Sequence, residues 1–286
     1  MYVNPILSVY TIIILYKNQT ARWGVHLGTS LNLKDSLWNG LTDTYAGIPM
    51  GVTAENLAEK YKITREECDA FAIRSQQTWY EAQRKGIFDL EMAPMEVKGK
   101  KGAMVTVQQD EHPKPESKLE KLASLRPVFK KDGVVTAASA SGICDGAGSI
   151  ILASEDAVKE HGLTPLARLA SYHVAGCDPK IMGIGPVPAI QGALARAGWN
   201  LDQVDRIEIN EAFAAQFLSC AKALNLDMDK TNIHGGAISI GHPLGASGSR
   251  IVAHLAHAFQ QSDGKIHVGS ACIGGGQGIA VVLERV

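Results

Sequence analysis

The chain has 286 residues, of which 45% are hydrophobic and 20% charged, so it can bury a sizeable core and is not disordered by composition. Its formal net charge of -1 gives no general attraction to nucleic acid or to an anionic membrane surface. No apolar run approaches the ~20 residues of a membrane span. Five widely spaced cysteines favour free thiols over a disulfide framework.

The first part of the chain predicts helices followed by a long solvated excursion. Residues 53–86 read as helical: Thr53 can cap the first stretch, TREE from Thr64 is a capping box, and Gly86 fits a C-terminal stop. Residues 98–133 are polar and rich in Lys, Glu and Pro, which predicts loops with one short helix near residues 117–124.

Beyond residue 133 the predicted strands and helices alternate. GSIILAS (148–154) reads as a buried strand, and Ser154 caps a helix that ends at Gly162. Further strands are predicted at 166–176, 204–210, 265–271 and 278–284, with the last two paired at the centre of a sheet, and helices at 187–198, 211–225 and 249–261. This alternation indicates a layered α/β domain between about 165 and 286.

Three short stretches lie at strand ends or helix starts, where α/β folds place their chemistry. In NEAFA (210–214), Asn210 could supply an amide donor or hold a water, or could simply cap the following helix. In GGAISIGHPLGASGSR (235–250), His242 stands in a turn of small residues that admits a bulky ligand and leaves its imidazole exposed for proton transfer. The alternative is a surface histidine in a glycine-rich turn.

The third candidate is SACIGGGQG (270–278). The glycines after Cys272 free backbone N–H groups to face a developing oxyanion, and the cysteine could act as a thiolate or as a proton shuttle. Free cysteine is also often a small buried residue, which remains an alternative. A Cys–His hydrolase built from Cys272 and His242 would need a third orienting group that the sequence does not single out.

Together, NEAFA, GHPLGASGSR and SACIGGGQG resemble the thiolase family, and the likeness runs from about residue 21 to the C-terminus. Within that family, the sequence most resembles the mitochondrial 3-ketoacyl-CoA type. The resemblance implies an incomplete α/β thiolase-like fold. We expect an atypical segment at 1–20, a loop domain at 21–141, a remnant of the N-terminal domain at 142–164 and a complete C-terminal domain at 165–286.

The resemblance also implies an activity, CoA-dependent thiolytic cleavage of 3-ketoacyl-CoA in fatty-acid β-oxidation. His242 matches the histidine that activates the nucleophile, and Asn210 the residue that orients an oxyanion-hole water. Cys272 matches the acid/base cysteine, and Gly274 the glycine whose N–H contributes to a second oxyanion hole. Two further positions match residues that line the pantetheine tunnel, Ser141 and Phe213. Coenzyme A is expected as a substrate, with no permanently bound cofactor and no metal.

One element of the family pattern is missing. The nucleophilic cysteine of the family lies in an N-x-x-C-x-S-G motif, and the sequence contains no such motif. We therefore expect no thiolysis by this chain, with a non-catalytic CoA-binding or hetero-oligomerising thiolase-like protein as the alternative. The resemblance further implies a mitochondrial location and a homo-oligomer, and no nucleic acid or membrane partner. Without the rest of the first half, apolar surface should be exposed.

Overall fold

The computed structural model describes residues 8–10, 16–17, 34–99 and 102–286. Most of segment 1–20, and the expected start of a loop domain at residue 21, lie outside the described residues. The strands are β1 (Ser8–Tyr10), β2 (Tyr16–Lys17), β3 (Lys34–Asp35), β4 (Met95–Lys98), β5 (Met104–Val107), β6 (Gly146–Gly148), β7 (Arg168–Gly176), β8 (Arg206–Ile209), β9 (Ile266–Ile273) and β10 (Gln277–Glu284). The helices are α1 (Ser36–Gly40), α2 (Met50–Tyr61), α3 (Arg65–Arg84), α4 (Leu119–Ala123), α5 (Glu155–His161), α6 (Pro186–Ala197), α7 (Ala214–Leu224), α8 (Ala237–Ile240) and α9 (Ser247–Gln261).

A four-stranded mixed sheet in the order β7-β10-β9-β8 forms the C-terminal part. β8 is parallel to β9, whereas β10 runs antiparallel to both of its neighbours. β9 and β10 are therefore the central pair, as the sequence predicts. Val268 and Val282 face a core that includes residues of α6 and α7, and Leu283 faces α9 on the opposite side. The expected α/β layering is confirmed.

Local sequence signals set several helix ends. The Thr64 hydroxyl accepts from the Glu67 N–H at 3.2 Å, and the Glu67 carboxylate accepts from the Thr64 N–H at 2.6 Å, so the predicted capping box is present at the start of α3. Ser154 caps α5 through the Ala157 N–H at 3.3 Å. Gly162 ends α5 in the left-handed conformation at φ +59°. These three predictions are confirmed.

Helices α2 and α3 share one core with the C-terminal sheet. Phe71 of α3 stacks on Phe217 of α7 with ring centroids 4.3 Å apart, and Leu57 of α2 is fully buried in the same cluster. The predicted capping role of Thr53 is wrong, because α2 already begins at Met50 and the Thr53 hydroxyl donates to the Met50 carbonyl at 2.6 Å. Pro49 is the N-cap residue, with extended backbone at φ -63° and ψ 151°, and α2 begins directly after it.

The expected buried strand at 148–154 is also wrong. Only its first residue, Gly148, belongs to a strand, and Ile151 and Leu152 are 72% and 60% exposed. The described residues contain no strand that pairs with 149–153, so the apolar run has nothing to bury against. The expected exposure of apolar surface is confirmed at this segment.

The polar excursion contains the predicted short helix, which is α4 at Leu119–Ala123. At its start lies a hairpin, β4–β5, which the sequence did not predict. All eight hairpin residues are exposed. The sequence MEVK of β4 alternates apolar and polar residues over only four positions, which is at the lower limit of a strand signal.

Candidate active site

Asn210 lies immediately after β8, where the strand pairing with β9 continues for one more hydrogen bond. Its N–H donates to the Ser270 carbonyl at 2.9 Å, and the residue is 1% exposed. Helix α7 begins only at Ala214 with Phe213 as its N-cap residue, so the N-cap interpretation of Asn210 is wrong. The Asn210 side chain is instead free to face the turn that carries His242.

His242 stands in the turn between α8 and α9. Its N–H donates to the Gly142 carbonyl at 2.7 Å, which fixes the turn against the AASASGIC segment. The preceding residue, Gly241, has φ +90°, and a Cβ placed on it would lie 2.5 Å from the Cys144 Sγ. The turn therefore requires glycine both for its backbone conformation and for the space beside Cys144.

The His242 imidazole is held from both ring nitrogens. Its Nε2 lies 3.3 Å from the Asn210 Nδ2, and its Nδ1 lies 2.6 Å from the Ser247 Oγ. The ring is half-buried rather than exposed, contrary to the sequence-based expectation. Burial, reinforced by the positive charge of Arg250, lowers the pKa of His242 to about 4. The imidazole is therefore neutral at pH 7 and can accept a proton.

Cys272 lies near the end of β9, opposite Gly278 of β10. Burial, with a further contribution from Cys177, raises the pKa of the Cys272 thiol to about 12. At neutral pH the side chain is a thiol, suited to donating a proton rather than to attacking as a thiolate. The backbone of Asn210 connects the two strand ends, since its N–H bonds Ser270, two residues before Cys272.

The glycines after Cys272 differ in backbone conformation and in surroundings. Gly275 and Gly276 both have φ +86° and form the turn between β9 and β10, where the Gly276 carbonyl accepts from the Cys177 N–H at 2.7 Å. Gly274 is exposed, and the nearest atom to a Cβ placed on it would be the Met50 Sδ at 3.9 Å. The backbone at Gly274 therefore faces open space that a ligand could enter.

Ser141 and Phe213 are adjacent. The Ser141 N–H and Oγ both donate to the Ala212 carbonyl, at 3.0 and 2.9 Å, and Ala140 forms a β-bridge with Phe213. The Phe213 ring makes an edge-on contact with Phe129 at a centroid distance of 6.3 Å. The two residues expected to line a pantetheine tunnel thus lie side by side at the start of α7.

Sequence reasoning missed two residues of this region. Glu211 is fully buried and accepts from Ser75 Oγ at 2.6 Å, Asn232 Nδ2 at 3.0 Å and the Ile238 N–H at 3.2 Å. Ser247, the partner of the His242 Nδ1, was also missed. A serine five residues after the histidine, at a helix start, is the signal that could have found Ser247. No local signal marks the partners of Glu211.

The described part of the chain holds no group of three or more His, Cys, Asp or Glu side chains that could bind a metal ion. Within the same residues, none of the helices is long and apolar enough to cross a membrane.

Comparison with known proteins identifies the family. Residues 13–156 match the N-terminal domain of thiolase, and residues 163–285 match the thiolase C-terminal domain. The chain belongs to the thiolase family and is by family an acetyl-CoA acyltransferase. Mitochondrial 3-ketoacyl-CoA thiolase from Bos taurus is 59% identical over 270 residues, which are 94% of this chain and 68% of the relative.

Solved structures agree with this assignment. Human mitochondrial 3-ketoacyl-CoA thiolase superposes with a TM-score of 0.92 at 58% identity, covering 96% of this chain and 69% of that one. A structure of the human enzyme in complex with CoA gives a TM-score of 0.90 at 57% identity, covering 96% and 68%. The expected α/β thiolase fold is confirmed.

Proposed function

We propose that the site at the ends of β8 and β9 serves the CoA-dependent thiolytic cleavage of 3-ketoacyl-CoA to acetyl-CoA and a shortened acyl-CoA, a reaction of fatty-acid β-oxidation. The observation that carries the proposal is the neutral imidazole of His242, held at 3.3 Å from Asn210 in a turn made of small residues. This pair supplies a proton acceptor and an amide at one place.

Each residue has a role that its environment supports. His242 accepts a proton from an attacking thiol and then offers an N–H to the substrate oxygen. Asn210 orients a water toward that oxygen, and its buried Oδ1 has no hydrogen-bond partner among the described residues. Cys272, with its pKa raised to about 12, is the acid that protonates the departing carbanion. The Gly274 N–H supports a second oxyanion hole.

Coenzyme A is the proposed substrate, and its pantetheine arm is proposed to pass beside Ser141 and Phe213. The neighbouring small residues and the CoA complex of the human relative support this placement.

Calorimetric titration of the chain with CoA tests the proposed placement of the pantetheine arm. We expect Phe213→Ala to weaken binding at least about tenfold, because a lost apolar contact with the arm costs on the order of 1.4 kcal/mol. Tyr45→Ala, at a side chain 88% exposed, serves as the control. Absence of any CoA binding to the folded wild-type chain would contradict the placement.

The 286-residue chain is proposed not to complete thiolysis by itself, because the sequence has no cysteine in an N-x-x-C-x-S-G motif. The groups with proposed roles, which are His242, Asn210, Cys272 and the Gly274 N–H, do not replace that nucleophile. Acetoacetyl-CoA and CoA should therefore be consumed no faster than with Cys272→Ala. Cleavage clearly above that control would contradict the proposal. CoA binding without cleavage also fits a non-catalytic or hetero-oligomerising thiolase-like protein, which co-purification with a full-length thiolase would support.

The proposed organisation is a loop domain at 21–141, a remnant of the N-terminal domain at 142–164 and a C-terminal domain at 165–286, preceded by an atypical segment at 1–20. Limited proteolysis that cuts first within 98–133 and leaves 165–286 intact would support this organisation.

We also propose a homo-oligomer and a mitochondrial location, the latter because relatives such as the Bos taurus protein are named mitochondrial. Light scattering and organelle fractionation test these two points.

A further inference from the structure

Ser247 is the first residue of α9 and is 4% exposed. Its Oγ lies 2.6 Å from the His242 Nδ1 and 3.1 Å from the Pro243 carbonyl oxygen. The same carbonyl accepts from the backbone N–H groups of Ala246 at 2.9 Å and Ser247 at 3.0 Å. The hydroxyl is thus enclosed between one imidazole nitrogen and one backbone acceptor.

Only two proton arrangements satisfy this geometry. A neutral imidazole carries one proton, on Nδ1 or on Nε2, and a hydroxyl donates one hydrogen bond. If Nδ1 carries the proton, it donates to the Ser247 Oγ, and the hydroxyl proton goes to the Pro243 carbonyl. If Nε2 carries it, the hydroxyl must donate to Nδ1, and the Pro243 carbonyl loses this donor.

The orientation of the Asn210 amide distinguishes between the two proton arrangements. Its Nδ2 is the atom that faces the His242 Nε2, at 3.3 Å. An amide N–H can donate only to a nitrogen that has a lone pair, so Nε2 must be unprotonated in this geometry. The opposite tautomer would require Asn210 to turn its amide by about 180° and present Oδ1 instead.

We propose that Ser247 is a positioning residue that holds neutral His242 as the Nδ1–H tautomer and so leaves the basic lone pair on Nε2, beside Asn210. The side chains of Asn210, His242 and Ser247 then form one chain of hydrogen bonds that ends at the Pro243 carbonyl. The Asn210 amide donates to the His242 Nε2, the His242 Nδ1–H donates to the Ser247 Oγ, and the Ser247 hydroxyl donates to the carbonyl. The catalytic meaning of this tautomer rests on the proposed function, because a base facing the substrate must present an unprotonated nitrogen. The tautomer itself does not depend on that function.

The test is ¹⁵N NMR of the full chain, labelled at its nine histidines, at pH 7.5. The His242 signals are those missing from His242→Gln. In the wild-type chain we expect the signal of a protonated Nδ1 and of an unprotonated Nε2. A wild-type spectrum with the proton on Nε2 would overturn the proposal without any mutant.

The variant Ser247→Ala removes the acceptor at Nδ1. We expect the ratio of Nδ1–H to Nε2–H tautomers to fall about tenfold, the factor that one net hydrogen bond typically contributes. Ser249→Ala is the matched control, since its hydroxyl lies in the same turn of α9 but donates to the Ala246 carbonyl at 3.0 Å. An unchanged tautomer ratio in folded Ser247→Ala would also overturn the proposal. A chain with the expected tautomer but no affinity for CoA would overturn the proposed function only.

Discussion

Asn210 and His242 stand 32 positions apart in the chain, yet Nδ2 of the first lies 3.3 Å from Nε2 of the second. Two independent backbone anchors bring them together. The Asn210 N–H bonds Ser270 of β9, and the His242 N–H bonds Gly142 in the segment before β6. The site is therefore assembled where residues of the N-terminal match, at 13–156, meet residues of the C-terminal match, at 163–285.

Glu211 should be a strong determinant of stability at this junction. Its buried carboxylate accepts hydrogen bonds from Ser75 of α3, from Asn232 and from the Ile238 N–H of α8. Glu211→Ala would leave a buried Asn232 amide hydrogen and the Ile238 N–H without an acceptor, and Ser75 with only a 3.4 Å contact to Ser239 Oγ. We expect it to lower the free energy of unfolding by about 3–5 kcal/mol. Urea unfolding measures this, with the half-exposed Glu81→Ala as control. A loss below about 1 kcal/mol would mean that the junction does not depend on Glu211.

Alanine substitutions at Gly274 and Gly278, in and beside the turn between β9 and β10, should differ in their effect on stability. A Cβ on Gly278 would lie 2.0 Å from the carbonyl carbon and oxygen of Gly185, and backbone cannot move aside as a side chain can. We expect Gly278→Ala to cost about 3 kcal/mol or more. Gly274→Ala should change stability by less than about 0.5 kcal/mol, because the nearest atom is 3.9 Å away. Thermal melts of both variants measure the two changes in stability. Equal losses of stability would contradict the packing described for Gly278 and Gly274.

Acid should destabilise the fold through buried neutral histidines, of which His267 is the most enclosed. It is fully buried, stacks on Phe259 at a centroid distance of 3.7 Å, and burial lowers its pKa from 6.5 to about 4. Between pH 6.5 and 4 the unfolded chain takes up a proton that the folded chain does not, so stability falls as the pH falls and no contribution is lost above pH 6.5.

We expect the contribution of His267 to this loss to be at most about 3–4 kcal/mol, since one pKa unit corresponds to about 1.4 kcal/mol. His267→Gln should reduce the slope of unfolding free energy against pH in this window while His234 and His242, whose pKa values are also lowered, maintain the remainder. Denaturant unfolding at several pH values measures the slope. An identical slope in the variant would show that His267 does not titrate as described.

The exposed run at 149–153 should limit solubility. Ile151 and Leu152 are 72% and 60% exposed in a segment with no strand partner among the described residues. We expect the wild-type chain to be poorly soluble and the double variant Ile151→Ser, Leu152→Ser to raise the fraction of soluble, non-aggregated protein in light scattering. Val286→Ser, at an isolated exposed position (71%), is the control. A monodisperse wild-type sample with a cooperative melt would contradict this expectation.

The sequence predicted those features whose cause is local. The capping box at Thr64 and the C-terminal glycine at Gly162 depend on residues within one turn of each other, so they could be recognised directly. The strand expected at 148–154 failed because a strand needs a neighbour, and its pattern does not reveal whether one is present. The sequence singled out Asn210 and His242 separately but not their contact, since the contact depends on anchors at Ser270 and Gly142.

The same limit applies to Glu211 and Ser247. The partners of Glu211 come from α3, α8 and the turn near Asn232, up to 136 positions away, and no spacing rule joins them. Ser247 lies near His242 in sequence, but its hydroxyl could equally have capped α9 or faced solvent. Only the fold of the turn directs it to Nδ1.

The most direct test of the central claim uses a half-reaction that needs no nucleophilic cysteine. If His242, Asn210 and Cys272 form a thiolase-type site, deprotonated Cys272 should remove a proton from the methyl group of acetyl-CoA while the oxyanion site holds the enolate. In D₂O the C–H bond breaks, the proton passes to the Cys272 sulfur, exchanges with solvent, and deuterium returns to carbon.

We predict deuterium incorporation into acetyl-CoA, followed by mass spectrometry, that is abolished in Cys272→Ala and strongly reduced in His242→Ala. The rate should rise about tenfold per pH unit between pH 7 and 9, since the pKa of Cys272 of about 12 keeps the thiolate scarce. Incorporation no faster than in Cys272→Ala, by a folded chain that binds CoA, would contradict the account.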